Sequence, residues 1–545
     1  MVDRKLPPST TSPGQGCDFD AVIVGAGFAG LYMLHRLRGL GLSARVYEAG
    51  SGIGGTWYWN RYPGARCDVE SMDYSYSFSN ELQQEWRWTE RYASQPEILR
   101  YVEHVADRFD LRRDIQLDTR VTAAHFDEAA NRWHIKTDRG DRVAARFCIM
   151  ATGCLSTSRI PAFPGLESFA GKTYHTSHWP RTDVDFTGQR VGVVGTGSSA
   201  IQSIPIIARR AASLVVFQRT ANFSVPARNA PLDPEYERQV KADYAEFRRQ
   251  ARESRVGFVA PVTGQSALAV SPEERRREYE SRWQRGGLGF AAAYTDLLTQ
   301  QEANDTAAEF FRAKIHGLVR DAAVAEALVP KDYPLGTKRI CVDTDYYDTF
   351  NRDNVTLVDL RSEPLEAITP RGVRTQATEY AFDSIVFATG FDAMTGALLE
   401  INIRGRGGIT LRGKWADGPR TYLGIALAGF PNLLTITGLG SPSVISNMMV
   451  SIEQHVDWIA DCLAHLEEGD LHVIEATSEA EDAWVAHVNE VANATLYPRA
   501  KSWYTGANIL GKPRIFMPYV GGVGAYRKTC DEIAAKNYEG FTLTG

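Results

Sequence analysis

Two short glycine-rich stretches carry the residue types and spacing for redox chemistry. Gly25-Ala-Gly-Phe-Ala-Gly30 and Gly195-Thr-Gly-Ser-Ser-Ala200 both fit the G-x-G-x-x-G/A spacing of a dinucleotide-binding turn. In the first, Gly25 permits the tight turn, and Gly27 lets backbone approach a pyrophosphate beside Ala29. Gly30 lets helix and strand pack closely. Glu48 ends the next strand, where it can accept from a ribose 2′-hydroxyl. In the second stretch Thr196, Gly197, Ser198 and Ser199 make the turn, and the following strand ends in Gln218-Arg219-Thr220. An acid there would repel a 2′-phosphate, whereas an arginine and a hydroxyl bind one. The second site therefore reads as NADPH and the first as FAD or NAD. Two nucleotides held by one chain can pass electrons between them.

Other residues are open to two readings. Trp57-Tyr58-Trp59 follows Gly54-Gly55, and so dense an aromatic run is either a hydrophobic cap or the lining for an isoalloxazine ring. Asp68 closes that stretch as a turn acid, a helix cap or a functional carboxylate. Lys338-Arg339 stands where the chain returns towards the second glycine turn. The pair is either surface decoration or a set of cations for a phosphate and the reacting centre, and the residues alone leave both open. The seven cysteines are scattered and never spaced as CxxC, which argues against a disulfide framework and a zinc site and leaves a disulfide reductase without its redox pair.

The elements that must position these groups are legible from periodicity. An apolar run over residues 20–24 reads as a buried strand, followed by a helix with Leu31, Leu34 and Leu37 on one face and Gly39 or Gly41 as its stop. Further strands are expected at Ala44–Tyr47, 115–123, 133–136 and 147–150, the last leading into Ala151-Thr152-Gly153. The second unit repeats the plan with Arg190–Val194, a helix bearing Ile201, Ile204 and Ile207, and a strand over 214–217. Ser384–Phe387 leads into Ala388-Thr389-Gly390, so each nucleotide-binding half has a strand–ATG turn to close it. Pro205 within the second helix should kink it, at a cost of about 3 kcal/mol. Residues 226–334 carry charged helical runs without strand signals, and their charges read as solvated faces. The turn Gly438-Leu-Gly-Ser-Pro442 is expected to open a helix through Met448 to Leu466, its N-terminus facing an electron-rich ring edge.

The fold class is thus α/β, with two dinucleotide-binding (Rossmann-like) domains and a helical insertion in the NADPH domain. The expected boundaries are a flexible tail over 1–17, an FAD domain over 18–158 and 392–545, an NADPH domain over 159–225 and 335–391, and the insertion over 226–334. At 545 residues, 44% hydrophobic and 23% charged, the composition is that of an ordinary globular protein with ample core. A net charge of -6 argues against nucleic acid, so local donors must hold any anionic ligand. No stretch reaches the roughly 18 apolar residues of a membrane span, and the opening residues lack a signal core. A cytoplasmic monomer is the expectation.

Two longer patterns remain. Phe169, Gly171, His175, Trp179 and Pro180 fit FxGxxxHxxxWP, and Gly54 to Asp68 fits GGxWxxxxYPGxxxD. Read as residues, the first is an ordered connector with a fixed exit direction. Together with the two glycine motifs and stretches such as WYWNRYPGARCD and FQRTANFSVPARNAPLD, the chain resembles the type I Baeyer–Villiger monooxygenases of the phenylacetone and steroid monooxygenase group. The resemblance implies FAD, NADPH and O2, a ketone substrate, and an ester or lactone product made through a C4a-peroxyflavin. By position it implies that Glu48, Thr56, Trp57, Asp68, Tyr74, Val121 and Met448 contact FAD. Thr196, Gly197, Ser198, Ser199, Gln202, Arg219, Thr220, Lys338 and Arg339 would face NADPH, with Arg66 nearby. Trp503, in a glycine-rich loop, is either packing or part of a lid over the same coenzyme. Arg339 matches the family's catalytic arginine and Asp68 its carboxylate partner. Cys154, Leu155, Ser443, Val444 and Ile445 fall where pocket residues vary within the group. Three alternatives stand beside this reading: a flavin-dependent N- or S-oxygenase, a pyridine-nucleotide disulfide reductase, and a non-catalytic nucleotide-binding scaffold.

Overall fold

The structure, a computed structural model, describes residues 17–159 and 161–545. The tail expected over 1–17 lies outside the described residues except for Cys17. Two sheets dominate, and each places a glycine turn at the carboxyl end of one strand. In the first, Phe19–Val24 runs parallel to Ala44–Tyr47 on one side and to Arg142–Met150 on the other. Its last four residues are buried, as befits an apolar strand covered on both faces. The helix Phe28–Gly39 follows at once. Its stop is Gly41, which takes a left-handed φ of 76° while the Leu42 N–H closes back on the Leu37 carbonyl.

Long-range pairing shapes the rest of this sheet. Arg142–Met150 is longer than the strand expected at 147–150. Its first half pairs antiparallel with Arg132–Thr137, and its second half runs parallel to Leu433–Thr435. The single strand expected over 115–123 is two. Ile115–Gln116 pairs with Ala44–Tyr47, and Val121–Asp127 pairs with Arg132–Thr137. Asp118 separates them at φ 51°, because the Asp118 and Thr119 N–H groups turn to the carbonyls of Gly50 and Glu48. Asn402–Arg404 completes the sheet alongside Val121–Asp127.

The second sheet is parallel throughout, in the order Val355–Asp359, Ser213–Gln218, Arg190–Val194, Ser384–Phe387, Lys172–His175. Helix Ser198–Ala208 covers it, burying Ile201, Ile204 and Ile207, and runs on through Pro205 to its end. The proline forfeits its own N–H bond near the last turn, and the packed isoleucines hold the helix together. Between Ser224–Pro226 and Cys341–Asp343, which pair in parallel, all named elements are helical, Gln301–Leu318 being the longest.

Two expectations need correction here. The charged helices are not wholly solvated. Arg248 is buried and donates to Gln83, Ser75 and the Asp73 carbonyl, while Arg282 is buried against the carbonyls of Pro261 and Gly289. The helix expected through Met448 to Leu466 is present as Met448–Glu468, but the 438–442 turn does not open it directly. It begins where the Asn447 side chain accepts from the Met449 N–H, leaving residues 438–447 as a buried loop. Among the described residues no helix is long and apolar enough to cross a membrane.

Candidate active site

One cavity of about 1360 Å³ has both glycine turns in its wall. From the first sheet's side Gly25, Gly27, Ala29, Glu48, Thr56, Trp57, Asp68, Tyr74, Val121 and Met448 line it. Arg66, Thr196, Gly197, Ser198, Ser199, Gln202, Arg219, Thr220, Lys338, Arg339 and Trp503 line the remainder. Gly30 does not reach the wall. A Cβ there would sit 1.9 Å from the Gly25 carbonyl oxygen, so its work is to let the helix pack on the turn. Of the varying pocket positions, Cys154, Leu155 and Val444 face the cavity; Ser443 lies behind Cys154, its Oγ 3.0 Å from the thiol, and Ile445 is not part of the wall.

The two turns fit dinucleotides. Gly27 and Gly197 are the N-caps of Phe28–Gly39 and Ser198–Ala208; neither cap has a side-chain bond, and neither first turn contains an acid. Their N–H groups and the positive helix ends are thus free for pyrophosphate. Gly27 lies so close to Gly55 that a Cβ on Gly55 would come within 2.9 Å of the Gly27 Cα, while a Cβ on Gly197 would project into open cavity. Glu48 is buried, and its carboxylate accepts from the Ala26 N–H (2.8 Å) and the Gly50 N–H (2.7 Å). Burial raises its pKa, and these two bonds oppose the rise. The acid therefore shapes the turn as well as lining the ribose end. Trp57 donates from its indole to the Tyr74 hydroxyl (3.1 Å), which makes the aromatic run part of the core and part of the wall together.

The other end of the cavity is cationic. Lys338 packs its ammonium over the Tyr333 ring at 4.3 Å, and burial together with the neighbouring Arg219 brings its pKa down to about 8. Neither Arg219 nor Lys338 has a carboxylate within ion-pair distance among the described residues. Asp332 offsets the lowering of the Lys338 pKa only in part, and two cations held close without a direct ion pair suit a 2′-phosphate. Gln202 is differently engaged: its amide donates to the Arg66 carbonyl (3.1 Å) and accepts from the Tyr62 hydroxyl (2.9 Å), tying the second unit's helix to the first unit's loop. Arg66 is itself held by Glu90 and the Tyr92 carbonyl.

Arg339 and Asp68 meet across the cavity wall. The guanidinium donates through Nε (2.6 Å) and Nη2 (2.7 Å) to the two carboxylate oxygens and through Nη1 (2.8 Å) to the Val444 carbonyl. Burial pulls the Arg339 pKa down, but Asp68 more than offsets it and the net shift is upward. Three of the five guanidinium donors are thereby engaged, and the buried Tyr504 hydroxyl neighbours the same side chain, which faces the cavity. Val444, expected only as a varying pocket position, also contributes its backbone carbonyl to the arginine. It is β-branched yet sits at φ 63°, a strained conformation that aims its carbonyl at the arginine.

The connector is a clasp. His175 is buried; its Nδ1 accepts from the Ser177 N–H (3.2 Å), which leaves Nε2 as the donor to the Arg159 carbonyl (3.1 Å), with Thr389 Oγ1 at 3.1 Å. Burial lowers its pKa and keeps it neutral. Arg159 and Gly390 lie on the two strands of chain that cross between the sheets, and they bond each other directly. One histidine thus holds both crossings.

Two dinucleotide cradles, an aromatic wall and a fixed arginine–carboxylate pair define a two-nucleotide oxidoreductase. A family model described as pyridine nucleotide-disulphide oxidoreductase matches residues 22–264. No two of the seven cysteines are spaced as CxxC or CxxxxC, so the redox pair that name implies has no counterpart in the sequence. A Baeyer–Villiger monooxygenase from Pseudooceanicola batsensis is 45% identical over 97% of this chain and 96% of its own length. The phenazine N-monooxygenase PhzNO1 of Lysobacter antibioticus is 44% identical over 96% and 97%. Among solved structures, an oxidized steroid monooxygenase bound to NADP is 56% identical with a TM-score of 0.93, covering 96% of this chain and 99% of that one. Another, 40% identical, is a complex with FAD and NADP. The chain belongs to the Baeyer–Villiger monooxygenase family, and its cofactors are FAD and NADP(H).

Proposed function

We propose that the protein oxygenates aryl, cyclic or steroid-like ketones to esters or lactones, with NADPH as electron donor, O2 as oxidant and water as the second product. The site residues named above hold the cofactors in this reading: the first glycine turn, Glu48, Trp57 and Tyr74 the FAD, and the second turn with Arg219, Thr220 and Lys338 the NADPH. When bound and reduced, the flavin supplies the electrons that activate O2. The protein's own contribution is positioning and electrostatics. The single observation that carries the proposal is the Arg339 geometry. Negative charge develops on the attacking oxygen and then on the former carbonyl oxygen, and a guanidinium pre-oriented by Asp68 and Val444 can meet that charge at the cavity wall without reorganising. Trp503 and the neighbouring loop would screen that charge from water.

The domain boundaries expected from the sequence, including the helical insertion over 226–334, belong to the same proposal, as do a cytoplasmic location and a monomeric state. The seven free cysteines support the reducing compartment. A second reading, N-oxygenation, is favoured by the likeness to the phenazine enzyme. Incubation with 18O2, NADPH and a panel of ketones and phenazines separates the two. The proposal expects one labelled oxygen in an ester. Label found only in N-oxides would overturn it.

A further inference from the structure

One buried relay has no part in the chemistry above. His455, fully buried on the helix Met448–Glu468, accepts from the Thr437 N–H at Nδ1 (3.0 Å) and meets the Tyr526 hydroxyl at Nε2 (2.7 Å). Tyr526, on Val523–Ala535, donates its proton in turn to the Leu423 carbonyl. These directions require Nδ1 bare and Nε2 protonated. Burial brings the imidazole pKa down to about 3, with Arg527 adding to the effect, so the ring stays neutral.

The two backbone points that this relay joins are both strained. Leu423 (φ 59°) and Thr437 (φ 56°) are left-handed without being glycine. Such residues persist only where the surroundings over-determine them. Thr437 lines the cavity, and its carbonyl accepts from the Cys154 thiol at 3.2 Å. The same thiol meets Ser443, whose neighbour Val444 gives its carbonyl to Arg339. A continuous set of contacts therefore leads from His455 to the wall beside Arg339.

We propose that His455 and Tyr526 are positioning residues for this wall: their relay clamps the left-handed backbone at Thr437 and so holds residues 437–444 where they cap Cys154 and meet Arg339. Only the identity of the substrate held against the wall rests on the ketone-oxygenating reading. Cys154 reports the clamp directly, because its thiol is covered by the Thr437 carbonyl and Ser443.

The experiment is iodoacetamide labelling of the holoenzyme, with each cysteine followed by peptide mass mapping. His455→Leu leaves the Thr437 N–H without its acceptor, and Cys154 is expected to label about tenfold faster. Cys148 and Cys462, both fully buried elsewhere, should be unchanged. His455→Asn retains an acceptor near the Nδ1 position and should restore slow labelling. In turnover assays His455→Leu should raise the ketone KM more than it lowers kcat. Should His455→Leu fail to fold, Tyr526→Phe removes a single hydroxyl and should raise Cys154 labelling about threefold. Unchanged Cys154 labelling, or a parallel rise at all three cysteines, would overturn the clamp. Labelling needs no ketone turnover, so its outcome is independent of the 18O2 experiment.

Discussion

In the proposed coenzyme site, Lys338 is the single residue expected to set the pH behaviour. Its pKa of about 8 in the free protein reflects burial first and Arg219 second. Below that pH the ammonium is charged and meets a 2′-phosphate; as pH rises through it, the site loses one positive charge. The apparent KM for NADPH should therefore climb above about pH 8, while that for NADH stays nearly flat. Replacing Arg219 with Ala removes one charge-assisted contact, worth roughly 1.5–3 kcal/mol, and should raise the NADPH KM about 10–100-fold at neutral pH. It also removes a repelling neighbour, so the break attributed to Lys338 should move to higher pH. Equal losses with both coenzymes would show that neither residue reads the phosphate. Arg219 and Thr220 were legible in the sequence because their place at a strand end is a local feature. The second task of Glu48, holding the Ala26 and Gly50 N–H groups, was not, since it depends on how the glycine turn folds back on the strand.

Between the elements, the clasp at His175 ties together the two chain crossings that link the sheets. It bonds the Arg159 carbonyl on the outgoing crossing and Thr389 on the returning one, and Arg159 is paired with Gly390 beside them. His175→Ala should leave FAD bound and reducible by NADPH. Ketone-dependent turnover should fall about 10–100-fold, because slight misplacement of one unit against the other is costly in the later steps. Loss of FAD, or of the fold, would return this segment to a merely structural loop. The strands and helices themselves could be read from periodicity and turn residues, and those around both glycine motifs stand where the sequence placed them. The division of 115–123 into two strands could not. It depends on backbone partners distant in sequence, the carbonyls of Gly50 and Glu48. The charged helices failed for a related reason, since nothing local marks Arg248 as the one arginine among its neighbours that finds three buried acceptors.

The proposed reacting centre draws on residues from the whole length of the chain. Asp68 and Arg339 are 271 residues apart in sequence, and Val444 lies a further 105 beyond. Asp68 follows the aromatic run of the first unit, Arg339 leads into the strand Cys341–Asp343, and Val444 sits in the loop before the long helix. The sequence identified Arg339 and Asp68 through resemblance, while the residue chemistry by itself left the arginine open. The fold supplies the missing argument, a bidentate pair and a strained carbonyl that leave the guanidinium only one orientation. That claim is tested most directly by Arg339→Ala and Arg339→Lys, each loaded with FAD and followed by stopped-flow absorbance for flavin reduction by NADPH and by product analysis for ester. Reduction should be slowed at most. Ester formation should fall about 10²–10³-fold in Arg339→Ala. It should fall nearly as far in Arg339→Lys, because a point charge on a flexible stem cannot reproduce the fork. Ester made at the wild-type rate by either variant would contradict the assignment of Arg339 as the catalytic cation.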